Sequence, residues 1–111
     1  GRVVLFEWNN ASNRLELKLI IGPGPADMRE RVFEMSRTKL ELFVNSVGKL
    51  SPKFTQVYKL SVLTAKDYEG GDWESISQKI TAAWESFSSD RLKPLAVEVE
   101  RSIRGAAEAT V

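Results

Sequence analysis

The stretch RLELKLIIGPGP, residues 14–25, joins a strand, a tight turn and the start of a helix, and the rest of the fold is arranged around it. Apolar side chains at every second position from Leu15 to Ile21 alternate with charged side chains up to Lys18. A period of two is typical of a strand that buries one face. Proline suits the first position of a helix, which needs no backbone N–H, so Pro25 predicts a helix start.

An earlier strand, Val3 to Trp8, is apolar at nearly every position, which is typical of a strand buried on both faces. The run NNASN at residues 9–13 consists of turn-forming side chains. We therefore predict an antiparallel hairpin that continues into the strand beginning at Arg14. Because a doubly apolar strand belongs in the interior of a sheet, we expect the first strand to be central.

After the GPGP turn, helices are predicted where apolar residues recur at spacings of three and four. The last strand is predicted from its content of Thr, Val and Tyr. The predicted elements are helices over residues 26–47, 73–87 and 94–105, a strand over residues 54–64 and a loop over residues 65–71. A long helix between the second and third strands is a crossover that leaves them parallel, on either side of the first strand. The predicted fold is α+β, a three-stranded antiparallel sheet of order 2-1-3 packed with three helices in chain order ββαβαα.

The chain has 111 residues, 42% hydrophobic and 28% charged, which suits a single globular domain over residues 1–111. It opens close to an apolar strand without an initial methionine, so we interpret it as a fragment or excised C-terminal domain of a longer protein. No apolar run reaches the length of a membrane span, and we expect no membrane partner.

Histidine and cysteine are both absent. Their absence excludes disulfides, zinc sites of the usual ligand set, and catalysis by Ser-His-Asp or Cys-His groups. A chain without cysteine favours a reducing compartment, and we expect a cytoplasmic location. The formal net charge of +1 provides no strong field for attracting nucleic acid or an anionic membrane.

Glu16 and Lys18 share one face of the second strand and match the last part of a metal-nuclease signature, in which carboxylates hold magnesium and the lysine supports the attacking water. No aspartate precedes Glu16, and Glu7 is the one upstream carboxylate. A solvated strand face with alternating charges is the simpler interpretation. We assign no catalytic residue, metal ligand or cofactor; magnesium would bind only if Glu16 and Lys18 belonged to a nuclease site.

Two groups of basic residues are candidates for contact with nucleic acid. Lys49, Lys53 and Lys59 lie near the aromatic residues Phe54 and Tyr58, a combination that suits single strands. The predicted long helix carries further basic residues, but glutamates interleave with them, which favours a charge-compensated solvent face. We expect any binding to be weak, in the non-specific range of about 10⁻⁴ to 10⁻⁶ M at physiological salt.

Several short motifs resemble the C-terminal part of a group of prokaryotic proteins of the PD-(D/E)xK nuclease superfamily. They are residues 9–19, the run IGPG at residues 21–24 before an arginine-rich helix, LSPK at residues 50–53, and KDY at residues 66–68 before a tryptophan-containing helix. In those proteins the catalytic aspartate and Glu-x-Lys lie upstream of this region. The resemblance therefore implies an accessory domain and transfers no catalytic residue, and Glu16 lacks the aspartate partner of the family motif.

We interpret the chain as a non-catalytic accessory or interaction domain of a larger bacterial protein. The alternatives are a nucleic-acid-binding module and a fragment of a magnesium-dependent nuclease. Period-two geometry places Val4, Phe6 and Trp8 on one face of the first strand, and Trp73 and Trp84 recur on one side of a helix, where we assign them to the core.

We expect the helices to cover one face of the sheet and to leave the other short of cover. Val4, Phe6 and Trp8 are then candidates for an exposed apolar patch on that second face, and such a patch usually marks an interaction site. Its partner would be the rest of the parent protein or a second copy of the domain, which would make a dimer.

Overall fold

The computed structural model describes residues 3–109, with side chains through residue 104. Its elements are β1 (Val4–Ala11), β2 (Arg14–Ile21), α1 (Ala26–Thr38), β3 (Thr55–Leu63), α2 (Ala65–Gly70), α3 (Trp73–Asp90) and α4 (Leu92–Ala109). The predicted α+β class, the antiparallel three-stranded sheet and the ββαβαα order are confirmed, with the short α2 as an addition.

The predicted strand order 2-1-3 is wrong. The order is β1-β2-β3, and β2 is antiparallel to both neighbours. The prediction required a long crossover helix, whereas α1 ends at Thr38 and an irregular segment, residues 39–54, leads back beside the sheet. This connection brings β3 antiparallel against β2, so β1 lies at an edge although its side chains are apolar on both faces.

Helix α1 ends nine residues before the predicted boundary at residue 47. The hydroxyls of Ser36 and Thr38 donate to carbonyls three residues back, at 2.6 and 2.7 Å. Such bonds compete with the backbone pattern of a helix and favour its end. Phe43 then turns inward and is fully buried in the core, which the continued helix would not allow.

Residues 44–47 run along the outer edge of β3 and bind it. The Lys59 N–H donates to the Val44 carbonyl and the Val47 N–H donates to the Gln56 carbonyl, both at 3.0 Å. The Asn45 amide donates to the Lys59 carbonyl at 3.0 Å. Asn45 adopts a φ of 64°, a left-handed conformation that asparagine tolerates better than most residues.

The predicted apolar face of β2 is confirmed at Leu17, Leu19 and Ile21, which are at most 3% exposed, but Glu16 and Ile20 on the other face are also buried, at 8%. Helices α3 and α4 pack on the apolar face through Phe87 and Leu95, which belong to the same core cluster. The opposite face of the sheet carries the charged side chains of β2. All the helix-borne members of the core cluster therefore serve one face of the sheet.

Arg29 of α1 is a structural residue that the sequence pattern did not identify. It is buried, and its Nε donates to the Gly22 carbonyl at 2.8 Å. Its Nη2 donates to the carbonyls of Ser51 and Lys53 at 2.7 and 3.3 Å. One guanidinium thus joins the GPGP turn, α1 and the segment that leads into β3.

The GPGP turn contains a close approach that explains one of its glycines. A Cβ atom on Gly24 would lie 2.7 Å from Cγ2 of Val3, which is buried beside it. No glycine described in the structure has a positive φ, so Gly24 is required by space rather than by backbone conformation.

The predicted loop over residues 65–71 is wrong, because it contains α2. The Asp67 carboxylate accepts from the Thr64 N–H at 2.8 Å and from the Thr64 hydroxyl at 3.1 Å, which starts the helix. The predicted Asp72 cap of α3 is confirmed by a 2.8 Å bond from the Ser75 N–H.

Helix α4 begins two residues before Pro94 and continues past the predicted end at Gly105. Pro94 falls in the first turn, where its missing N–H leaves no bond unmade. Within residues 3–109, none of the helices has both the length and the apolar character needed to cross a membrane.

Candidate functional site

Strand β1 has one free edge. The Gly22 N–H donates to the Val3 carbonyl at 2.6 Å, so the backbone groups of Val3 point towards β2. Because these groups alternate along an antiparallel strand, those of Val4, Phe6, Trp8 and Asn10 point away from β2. Among residues 3–109, no backbone group from outside the β1–β2 ladder bonds to them.

This edge carries little that would prevent another strand from pairing with it. Glu7 is the one charged residue among the eight of β1, and the strand contains no proline. The register with β2 runs without a bulge from Val4 opposite Ile21 to Ala11 opposite Arg14. Natural edge strands are usually protected by lysine, proline or bulges, so β1 is open to strand addition.

The middle of β1 presents exposed aromatic rings. Trp8 contacts Trp84 of α3 with ring centroids 6.1 Å apart, and Phe6 meets Phe87 edge-on at 5.6 Å. Phe6, Trp8 and Trp84 nevertheless remain 40%, 43% and 45% exposed. Side chains of this size rarely stay so exposed in a group unless they form an interaction site.

The assignment of Trp73 and Trp84 to the core is wrong, since Trp73 is 77% exposed and Trp84 nearly half exposed. Only the C-terminal end of α3 packs on the sheet, through the buried Phe87. The other end is tied to α2, where Lys79 bonds the Asp67 carboxylate. Because α3 leaves the sheet in this way, part of its apolar face is exposed to solvent.

The N-terminal end of β1 borders an apolar groove of about 420 Å³ between the strand and α4. Leu95, Val99 and Ile103 of α4 form one wall, while Val4, Phe6 and Leu19 of the sheet form the other. The charged pair of Glu100 and Arg104 lines the same groove.

We call these features together the β1-edge surface. It consists of Val4, Phe6 and Trp8 of β1, Trp84 of α3, and Val99 and Ile103 of α4. The exposed aromatic side chains, the groove and the free backbone groups lie along one strand, which gives a continuous binding surface.

The predicted patch residues therefore lie on the β1-edge surface, but not on the face expected for them. Val4 and Phe6 pair with Ile21 and Leu19, so they point to the helix-covered face. Phe6 and Trp8 are exposed because β1 is an edge strand that the helices only partly cover.

Glu16 and Lys18 lie on the opposite face and form an ion-pair cluster. The Glu16 carboxylate lies 3.8 Å from Arg14 Nε, 3.9 Å from Lys18 Nζ and 3.6 Å from Lys59 Nζ. Glu16 is buried, at 8% exposure, and three cations around its carboxylate oppose the approach of a metal ion. Within the part of the chain that the structure describes, no cluster of three or more Asp and Glu side chains could hold a metal ion.

The predicted nucleic-acid contact at Lys49, Lys53 and Lys59 stays a prediction, with Lys53 exposed and Lys59 partly covered. Lys59 is engaged with Glu16, and the Lys53 carbonyl accepts from Arg29. Tyr58 is buried, so its ring is not available for stacking on a base, whereas Phe54 is 59% exposed. Lys49 is exposed in the connecting segment.

Basic side chains do converge elsewhere, in a cleft of about 870 Å³ between the end of α1 and α4. Glu98 pairs there with Lys39 at 3.5 Å and with Arg101 at 3.3 Å. Arg37 and Lys93 also line the cleft, and neither takes part in an ion pair within residues 3–104. We call this the basic cleft.

Sequence reasoning missed Trp84 as a surface residue, the groove beside α4 and the basic cleft. The groove follows from helical spacing, since Val99 and Ile103 are four residues apart, but only the strand order shows that they border an edge. The basic cleft joins Arg37 and Lys93, which are far apart in sequence.

No family model, curated protein or solved structure matches this chain. The resemblance to PD-(D/E)xK nuclease-superfamily proteins therefore stays a prediction, and function has to be argued from the geometry.

Proposed function

We propose that this chain is a non-catalytic interaction domain, an accessory part of a larger bacterial protein, that binds its partner by adding a strand to β1. The observation that supports this most directly is the free edge of β1 between exposed aromatic rings and an apolar groove. The partner is a strand from the rest of the parent protein or from a second copy of the domain.

Strand addition uses both features of the β1-edge surface. The outward backbone groups of Val4, Phe6, Trp8 and Asn10 provide hydrogen bonds for a partner of almost any sequence. Alternate side chains of the added strand point to the helix-covered face, where the aromatic rings and the groove can select apolar residues. Burial of these rings would provide most of the affinity, as aromatic residues do at other interfaces.

The test is a selection of random eight-residue peptides against the folded domain, followed by residue-resolved amide hydrogen exchange with each selected peptide. We expect slower exchange at the outward amides of Phe6, Trp8 and Asn10. Trp8→Lys should abolish peptide binding, whereas Trp73→Lys, a change at an exposed tryptophan away from β1, should leave it unchanged. Protection confined to other strands, or binding that tolerates Trp8→Lys, would contradict the proposal.

A second candidate function is the binding of nucleic acid in the basic cleft. Arg37 and Lys93 line that cleft without ion-pair partners in the described part of the chain, which leaves their charges available for phosphates. The test is fluorescence anisotropy of labelled DNA and RNA over a salt series. We expect a dissociation constant of about 10⁻⁴ to 10⁻⁶ M at physiological salt that rises steeply with salt.

Matched double variants locate the nucleic-acid contact. Arg37→Ala with Lys93→Ala should weaken binding more than Lys49→Ala with Lys53→Ala. Submicromolar binding that depends on Lys53 and Lys59 would contradict this assignment.

We infer that the chain alone has no magnesium-dependent nuclease activity and needs no cofactor. The cation cluster around Glu16 and the lack of a nearby aspartate support this. Incubation of supercoiled DNA with the protein and magnesium should leave the DNA intact. Cleavage that disappears in both Glu16→Ala and Lys18→Ala would restore the nuclease alternative.

A further inference from the structure

We propose that the strand added at β1 is β1 of a second copy of this chain, paired antiparallel with Phe6 opposite Phe6 and Val4 opposite Trp8. This inference rests on the strand-addition function proposed above and names its partner. Three observations carry it: the register that the charges allow, the complementarity of Trp8 and the groove beside Val4, and the closure of the sheet.

A two-fold axis limits the registers available to two β1 strands. To form hydrogen bonds, residues whose backbone groups point outward must lie opposite each other in the two strands. With two-fold symmetry, three registers meet this condition and place both Phe6 and Trp8 within the paired stretch. They are centred on Phe6, on Glu7 or on Trp8. The register centred on Glu7 places two glutamates directly opposite each other, and like charges in that position destabilise a strand pair.

The groove decides between the remaining two registers. With Trp8 at the centre, Phe6 faces Asn10 and Val4 has no partner, so the groove beside Val4 stays empty. With Phe6 at the centre, Val4 faces Trp8 of the second copy. Since both side chains point to the helix-covered face, that indole lies next to the groove lined by Leu95, Val99 and Ile103.

The middle and the N-terminal end of β1 are thus complementary to each other. The middle has an exposed tryptophan, 43% accessible, and the N-terminal end has an apolar groove of about 420 Å³. In the Phe6 register, the two-fold axis places each copy's Trp8 at the other copy's groove. Both exposed features of the β1-edge surface are then covered in one step, as a self-complementary interface requires.

Pairing of this kind also ends after two copies. The combined sheet has six strands in the order β3-β2-β1-β1-β2-β3, with the helices of both copies on one face. Its two outer edges are β3 strands, whose backbone groups at Gln56 and Lys59 are already bonded to residues 44–47. Because these bonds cover each outer edge from Gln56 to Lys59, a further copy finds no free stretch as long as β1, so the proposal gives a closed dimer rather than a fibre.

The test of the register uses the absence of native cysteine, which makes single cysteine variants unambiguous. Directly opposed residues of a hydrogen-bonded pair have Cα atoms about 5.5 Å apart, within the range of a disulfide. Under mild oxidation, Phe6→Cys should form a disulfide dimer, whereas Glu7→Cys and Trp8→Cys should not. A mixture of Val4→Cys and Trp8→Cys should cross-link mainly as the mixed dimer.

The test of assembly is sedimentation of the unmodified chain over a concentration series. We expect a dimer whose dissociation constant rises about thirtyfold or more in Trp8→Ser, the effect of losing a tryptophan hot spot. Trp73→Ser is the matched control and should not change the dissociation constant. Circular dichroism of each variant shows whether the fold is intact.

The outcomes separate this inference from the proposed function. A chain that stays monomeric at millimolar concentration, yet binds selected peptides along β1, overturns the second-copy inference and leaves strand addition standing. A dimer in which Glu7→Cys or Trp8→Cys cross-links and Phe6→Cys does not overturns the proposed register. A chain that stays monomeric and binds no peptide along β1 would contradict both the second-copy inference and the proposed strand-addition function.

Discussion

The two edge strands of this sheet, β1 and β3, deal with their free backbone groups in opposite ways. Along β3, residues 44–47 bond the backbone at Gln56 and Lys59. Along β1, alternate backbone groups from Val4 to Asn10 point outward, and no backbone group from outside the β1–β2 ladder bonds them in the described part of the chain. An exposed edge strand is a general risk of aggregation, and this chain protects only one of its two edges.

The difference supports the proposal that the free edge of β1 binds a partner strand. Protecting β3 requires a sixteen-residue connection, residues 39–54, with Asn45 in a left-handed conformation. The same chain leaves β1 without a covering segment, a bulge or a lysine, and adds Phe6 and Trp8 beside it. Changes that affect one edge and spare the other can test this comparison.

The largest effect is expected from Phe87→Ala, which should loosen both edges. Phe87 is 2% exposed and contacts Phe6 on β1 and Tyr58 on β3, so it holds α3 over the sheet. Truncation of a buried phenylalanine costs about 3–5 kcal/mol of the free energy of unfolding. Chemical denaturation measures this loss. Trp73→Ala on the same helix should change stability by less than about 0.5 kcal/mol.

Arg29→Ala should have the next largest effect and should act mainly on the protected side. It removes the bonds to the carbonyls of Gly22, Ser51 and Lys53, and the last two lie in the segment that leads into β3. Hydrogen bonds from charged groups suggest a loss of about 2–3 kcal/mol. Arg31→Ala, an exposed neighbour, is the control. Equal losses in both variants would show that the three bonds contribute nothing.

Much of the fold was predictable from local patterns. The apolar face of β2, the β1–β2 hairpin and the Asp72 cap are each encoded within a few residues, and the structure has all three. The hairpin turn is shorter than the predicted run of residues 9–13, because β1 continues to Ala11. The Thr64-x-x-Asp67 pattern that starts α2 was equally visible in the sequence and was overlooked. These features depend on chemistry between near neighbours.

The strand order and the site were not predictable in this way. The apolar character of β1 on both faces is typical of a central strand, and nothing local distinguishes that from an edge strand with an interaction surface. The order was decided by the early end of α1 and the inward turn at Phe43, which are tertiary effects. The alternation along β1 correctly places Phe6 and Trp8 on the same face of the strand. Their exposure depends on how far α3 covers that face.

Asn45→Val should uncover the edge of β3 selectively. A β-branched residue at a φ of 64° is strained by about 1–2 kcal/mol, and the bond to the Lys59 carbonyl is also lost. We expect a comparable loss of unfolding free energy and faster exchange of the Lys59 amide. Asn45→Gly loses the same bond but adopts this conformation freely, so it should be less destabilising. If both variants behave alike, the backbone conformation is not what holds residues 44–47 in place.

The smallest effect is a pH dependence at the end of β3, where Asp67 starts α2. A bond from Lys79, together with the Thr64 N–H, lowers the pKa of Asp67 from 3.8 to about 2. Because the folded-state pKa is depressed, the stabilisation is fully present above about pH 4 and is lost as the pH falls towards 2. Carboxyl NMR titration should therefore show a midpoint near 2 for Asp67.

In Lys79→Met the largest cause of the lowered pKa is removed, so the midpoint of Asp67 should move up towards 3.8. Asp72, whose pKa is lowered by the Ser75 N–H, should not respond to that change. The Thr64 amide at the end of β3 should exchange faster in acid while the outward amides of β1 stay unaffected. If the β1 amides responded equally, the two edges would be coupled and the contrast between them would fail.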